Sequence, residues 1–144
     1  MKRLLVTAAV AVCAWAESPV AVAVEQINFT SPSGKIGCLM DPWSVRCDIR
    51  DPSWSPPPRP ANCPEFGDYA QDYGQGIVLN ADSDAGPSFA CANDSVLGSG
   101  PAVTYGQDTK LDSIRCQIWP DGVTCSDFMN GKGFWLSHDG YRFL

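Results

Sequence analysis

The sequence predicts a mainly β domain, a small antiparallel barrel or sandwich that ends in a four-strand meander and is held by disulfides. Three observations carry that expectation. One pattern occurs twice: Ile36 to Cys47 and Ile114 to Cys125 each place an isoleucine two residues before a cysteine, a proline four after it, a valine seven after it and a second cysteine nine after it. Asn130-Gly131 and Asp139-Gly140 are strong two-residue hairpin signals in the last third of the chain. No segment sustains the apolar spacing of an amphipathic helix.

The chain opens with the marks of an export signal. Lys2 and Arg3 supply a charged start, and Leu4 through Ala16 form an apolar run too short to span a bilayer. Cleavage after Ala16 or after Ala23 fits the small-x-small rule equally, so residues 1–23 are assigned to the signal and 24–144 to a single disulfide-bonded β domain. Cys13 lies inside the signal. The residue before a lipid-anchored cysteine is normally small, whereas here it is Val12, which favours loss of Cys13 with the signal. With 144 residues the chain can bury roughly two-thirds of its unfolded surface, so the remaining cysteines add to a core rather than replace one.

If cleavage follows Ala16, removal of Lys2 and Arg3 leaves 8 basic residues from the original 10, against 16 acidic ones, a net charge of −8. Such a domain is repelled by nucleic acid and by anionic headgroups, and no transmembrane segment follows the signal.

Along the mature chain, Gln26 to Thr30 reads as an opening strand and Ser31-Pro32-Ser33-Gly34 as a turn. With Cys38 opposite Cys47, Met40 faces Val45 and Asp41-Pro42-Trp43-Ser44 forms the loop, with Asp first and Pro second as a type I turn prefers. The same register in the second copy pairs Ile118 with Val123 and leaves Trp119-Pro120-Asp121-Gly122 as the loop. A rival turn on Asp121-Gly122 would set Cys116 opposite Asp127 and the cysteines diagonal, at about 7–8 Å. A disulfide needs Cα atoms at about 4.4–6.8 Å, so the shared register prevails.

Six prolines between Asp51 and Pro64 remove backbone donors and favour an extended crossing outside the sheets. Glu65 to Gly76 reads as loop with one helical turn at most, and short strands are expected at Ile77 to Asn80, Ser88 to Ala92 and Ala102 to Tyr105. The closing meander comprises Ser113 to Ile118, Val123 to Met129, Lys132 to His138 and Tyr141 to Leu144. If each hairpin closes itself as Cys38–Cys47 and Cys116–Cys125, then Cys63 and Cys91 are left to pair and pin the Pro-rich crossing to the central strands.

Several constellations invite a chemical interpretation. Zinc or thiol redox chemistry lacks a Cys-x-x-Cys and has only His138 to draw on, so neither metal nor cofactor is expected. Ser137-His138-Asp139 looks like a triad, but neighbours on a strand point to opposite faces and would not converge. Asn80 to Gly86 echoes a calcium loop, yet Ala85 stands where glycine is needed and Cys91 where glutamate is needed. Asp48, Asp51 and Glu65 are the carboxylates to consider for glycoside hydrolysis, set against a simply solubilising acidic surface. Pro57-Pro58-Arg59-Pro60 suits a rigid linker better than a proline-motif ligand.

Trp43, Trp54, Trp119 and Trp135 with Tyr69, Tyr73, Tyr105 and Tyr141 form a large aromatic set. Trp43 and Trp119 occupy the two equivalent hairpin loops, where they either anchor a carbohydrate or protein partner or fold back to cap the core.

Phe29-Thr30-Ser31-Pro32-Ser33-Gly34-Lys35-Ile36-Gly37-Cys38, Val45-Arg46-Cys47-Asp48-Ile49, the prolines before Cys63, Gly131-Lys132-Gly133-Phe134 and Tyr141-Arg142-Phe143 resemble small secreted actinobacterial proteins grouped as a domain of unknown function. The resemblance spans most of the mature chain and implies export and a shared disulfide fold, without catalytic residues to carry over. The function expected is therefore that of a secreted, non-enzymatic domain that binds an envelope or extracellular partner through Trp43 or Trp119. The alternatives are an extracellular hydrolase working through Asp or Glu, and an enzyme inhibitor that presents a rigid hairpin loop.

Overall fold

The two repeated hairpins form in the register their sequences dictate. Strands β2 (Ile36–Asp41) and β3 (Ser44–Ile49) pair with Cys38 opposite Cys47, Met40 opposite Val45 and Ile36 opposite Ile49; β7 (Ile114–Trp119) and β8 (Gly122–Asp127) pair with Cys116 opposite Cys125 and Ile118 opposite Val123. The computed structural model describes residues 25–65, 73–81 and 83–144. The signal assigned to residues 1–23 with Cys13, and residues 66–72 of the Glu65 to Gly76 loop with Tyr69, lie outside the described residues.

Each hairpin is the centre of a five-stranded antiparallel meander. The first sheet adds β1 (Ile27–Thr30), β4 (Gly76–Asn80) and β5 (Ser88–Phe89) in the order β1-β2-β3-β4-β5. The second adds β6 (Asp108–Leu111), β9 (Gly133–Leu136) and β10 (Tyr141–Phe143) in the order β10-β9-β8-β7-β6. The halves thus repeat one topology, and the cysteines correspond at an offset of 78 residues. The sheets do not close into a barrel. Their inner faces meet in one apolar core that includes Phe29, Met40, Val45, Ile77, Leu79, Ile114, Ile118, Val123, Phe134 and Leu136.

At the centre of that core Cys47 Sγ lies 3.7 Å from Cys125 Sγ, so the two cross-strand bridges touch. The third bridge, Cys63–Cys91, ties the Pro-rich crossing to the segment after β5. On the β5/β10 side the sandwich is sealed by aromatic rings: Trp54 and Phe89 each lie 4.8 Å from Tyr141, and Phe143 lies 5.7 Å from Phe89.

Two expectations need correction, and one strand was not anticipated. Ala102 to Tyr105 does not form a strand; on the free outer edge of β1 it makes a single parallel bridge, between Ala102 and Thr30, with the Thr30 amide donating to the Pro101 carbonyl and the Val103 amide to the Thr30 carbonyl. The strand at Ser88 stops at Phe89 rather than Ala92. Conversely Asp108–Leu111, too charged to read as a strand, pairs along β7 as an edge strand. Among the described residues no helix is long and apolar enough to cross a membrane.

Candidate functional site

The hairpins cross the sandwich in opposite directions. The base of the first, Ile36 and Ile49, and the tip of the second, Trp119 to Gly122, line one groove of about 260 Å3. At the far end, β4 finishes at Asn80 opposite Ser44, beside Trp43, and the loop that follows receives Lys132 from the base of the second hairpin, Nζ donating to the carbonyls of Ser83 and Asp84. Trp43 and Trp119 therefore occupy opposite ends of the molecule.

The groove collects residues from separate parts of the chain: Ser31, Ser33 and Lys35 from the β1–β2 turn, Tyr105 from the approach to β6, Trp119 and Asp121 from the second hairpin, and Ser137, His138 and Asp139 from the β9–β10 turn. The first wall is held by the Ser31 hydroxyl, which accepts the Ile36 amide at 3.1 Å, and by Gly34, whose amide donates to the Ser31 carbonyl from a φ of +71° suited to glycine.

The opposite wall is set by the Pro-rich crossing. Trp54 Nε1 donates to the Ser137 carbonyl at 2.8 Å, and the Ser53 amide and hydroxyl both donate to the His138 carbonyl at 2.9 Å. The crossing thus fixes the β9–β10 turn as Lys132 fixes the β4–β5 loop, so each half clamps the turn of the other.

Trp119 and Tyr105 are the apolar surfaces of the groove, at 46 % and 40 % exposure. Gly106 donates its amide to the Ile118 carbonyl at 2.8 Å and lies along the Trp119 ring, with room for a Cβ at 3.7 Å from Cζ3. Gly106 thus lies against the indole, while Trp119 and Tyr105 both stay partly open to solvent. Trp43 is more exposed, at 64 %, and its loop is fixed by Asp41 Oδ1, which accepts the amides of Trp43 and Ser44 at 2.8 and 2.7 Å. Trp54 and Trp135 are partly buried, Trp54 in the aromatic seal and Trp135 beneath Arg142 at 4.8 Å.

Ser137, His138 and Asp139 form a bend rather than a strand, and the strand argument against their convergence does not apply to them. His138 Nδ1 and Asp139 Oδ1 lie 2.7 Å apart in solvent, while Ser137 Oγ accepts the Asp139 amide at 3.4 Å instead of facing the imidazole. The serine is oriented by its own turn.

The three carboxylates considered for hydrolysis are not brought together in this groove. Asp48 is fully buried and bidentate to Arg46, with Nε to Oδ1 at 2.8 Å and Nη2 to Oδ2 at 2.9 Å, and its Oδ2 also accepts the Val96 amide at 2.9 Å. Gly76 abuts the same carboxylate so closely that any Cβ there would collide with Oδ1. Arg46 reaches on to Asp94 at 2.7 Å, so the trio ties β3 to the 94–96 loop. Burial opposes the Arg46 charge, but the hydrogen bonds and charges of Asp48 and Asp94 outweigh it and raise the guanidinium above its ordinary pKa. Arg46 in turn lowers the Asp94 carboxyl, mainly through the hydrogen bond. Asp51 lines a second cleft with Arg50, Pro56, Tyr73 and Leu97, of which neither Asp48 nor Glu65 is part.

The sequence pointed to Trp119 but not to its surroundings. Ser33, Asp121 and Asp139 were legible only as turn residues and Lys35 as their neighbour, and only knowledge that one hairpin's base meets the other's tip would have gathered them. Among the described residues no three His, Cys, Asp or Glu side chains assemble to hold a metal.

No curated protein and no solved structure matches the chain. A family model described as a family of unknown function, DUF6636, matches residues 9–143. With nearly the whole chain matched, the protein belongs to that family.

Proposed function

We propose that this is a secreted, non-enzymatic domain that binds an envelope or extracellular partner through the Trp119 groove. The observation that carries the proposal is the pairing of a half-exposed Trp119 with a groove whose wall is fixed by Trp54 and Ser53. A site already ordered before its ligand arrives loses little entropy on binding, and a rigid indole gives much contact area per frozen torsion. The three disulfides suit an oxidising compartment.

Binding is favoured over hydrolysis because the groove carboxylates, Asp121 and Asp139, stand in solvent and lack the apolar enclosure that makes a general acid. An inhibitor that plugs another enzyme would call for one exposed loop tryptophan and no cleft; here two are exposed and one borders a groove.

The test is retention of purified protein on cell-wall material, glycans and host secretions, with Trp119→Ala and Trp43→Ala alongside. Retention lost with Trp119→Ala and kept with Trp43→Ala is the expected result. Equal retention of all three proteins, or none on any material, would overturn the proposal.

A further inference from the structure

The groove is not isolated. Tyr105 also lines an adjoining hollow of about 190 Å3 formed with Pro32, Ala102, Val103 and Thr104. Two small depressions thus lie side by side with one aromatic ring shared between them, and each is smaller than the roughly 300–1,000 Å3 of a drug-sized site. That geometry fits a ligand made of small repeating units, one unit per depression, and not a single bulky group.

The lining narrows the chemistry. Trp119 and Tyr105 line the groove with aromatic rings, and polarised C–H groups of a saturated ring pack well against the negative face of such a ring. Around them stand Lys35 and His138 as donors and Asp121 and Asp139 as acceptors, with the exposed Ser33 hydroxyl among them. Charges of both signs are interspersed, so neither a polyanion nor a polycation is selected. A ligand dense in hydroxyl groups, each both donor and acceptor, satisfies such a mixed rim.

We propose that the groove and its neighbouring hollow bind a neutral saccharide chain, with one sugar ring against Trp119 and the next across Tyr105. This rests on the binding function proposed above and supplies its ligand class. The β1–β2 turn, through Ser33 and Lys35, and the β9–β10 turn, through Asp139, grip the first ring from its two edges, and Pro32 with Val103 floors the second position.

The experiment is native electrophoresis through gels containing neutral polysaccharides (β-glucan, α-glucan, mannan and galactan), followed by calorimetry of the retarding glycan's oligomers from the monosaccharide to the hexasaccharide. At least one polysaccharide should retard the wild type, the disaccharide should bind about tenfold or more tighter than the monosaccharide, and Trp119→Ala and Tyr105→Ala should each weaken binding about tenfold or more. Trp43→Ala should bind as the wild type does, and Tyr105→Phe should retain most of the affinity because the ring remains. Thermal unfolding of each variant shows whether a loss of binding reflects loss of fold; where Trp119→Ala unfolds early, Tyr105→Ala alone decides. Retention on envelope protein through Trp119, with no glycan bound, would overturn the saccharide proposal and leave the binding function standing. Glycan binding insensitive to both ring substitutions would overturn the placement and the groove together.

Discussion

Cys47 Sγ lies 3.7 Å from Cys125 Sγ, which brings the bridge of one hairpin against the bridge of the other where the two sheets meet. Each bridge closes a loop within its own sheet, yet each also fills space for its counterpart, so a change in one is felt by the other.

Replacing Cys116 and Cys125 by alanine should cost about 2.7 kcal/mol by loop entropy, and the same change at Cys38 and Cys47 should cost a similar amount. Because the sulfurs touch, removing both should depart from additivity by about 0.5–3 kcal/mol. Urea unfolding of the two double and one quadruple variants reads the coupling directly; strict additivity would mean the contact contributes nothing.

Asp48→Ala should be severely destabilising, by about 3–5 kcal/mol, because it leaves the Arg46 guanidinium, 14 % exposed, without its inner partner. Asp94→Ala removes only the outer partner, which is 74 % exposed, and should cost under about 1 kcal/mol. Denaturant midpoints of the two variants should differ in that order.

Acid should expose the same trio. The folded carboxyl of Asp94 sits below its ordinary value of 3.8, so its contribution is present in full above that value and is lost as pH falls through the lower folded one. The stability difference between wild type and Asp94→Asn should be flat from neutral pH down to roughly pH 5 and shrink below about pH 4, staying under about 1 kcal/mol because the group is solvated. A difference that instead grows in acid would contradict the assignment.

Trp54→Phe keeps most of the aromatic seal but deletes the donor to the Ser137 carbonyl, at a stability cost of about 1 kcal/mol. The β9–β10 turn should then exchange its amides faster, and any ligand held at Trp119 should bind more weakly. Hydrogen exchange at Ser137 and Asp139 measures the first effect independently of the second.

The hairpins were legible because three constraints coincide there: cysteine spacing, proline at the turn's second position and apolar residues at alternate places. Asp108–Leu111 was not, since Asp108 and Lys110 face outward from an edge and only the neighbouring β7 makes the segment a strand. Ala102 to Tyr105 erred the other way: its apolar residues suit a ladder but cover the Thr30 end of β1 instead. The groove stayed hidden because turns distant in sequence build it, and because Ser137 to Asp139 turns out to be a bend whose backbone is held by Ser53 and Trp54. Such long-range ties leave no periodicity for a sequence to reveal.

The reciprocal clamps have one more consequence. At the Trp43 end the brace is a single lysine side chain on a short connection, Phe128 to Lys132, while at the Trp119 end it is a proline-stiffened strap with its own disulfide. Two copies of one plan have therefore been fitted with unequal end-pieces, and the heavier one stands where the molecule has a mouth. The shared strand order supplies the frame, and the strap is where the two ends differ.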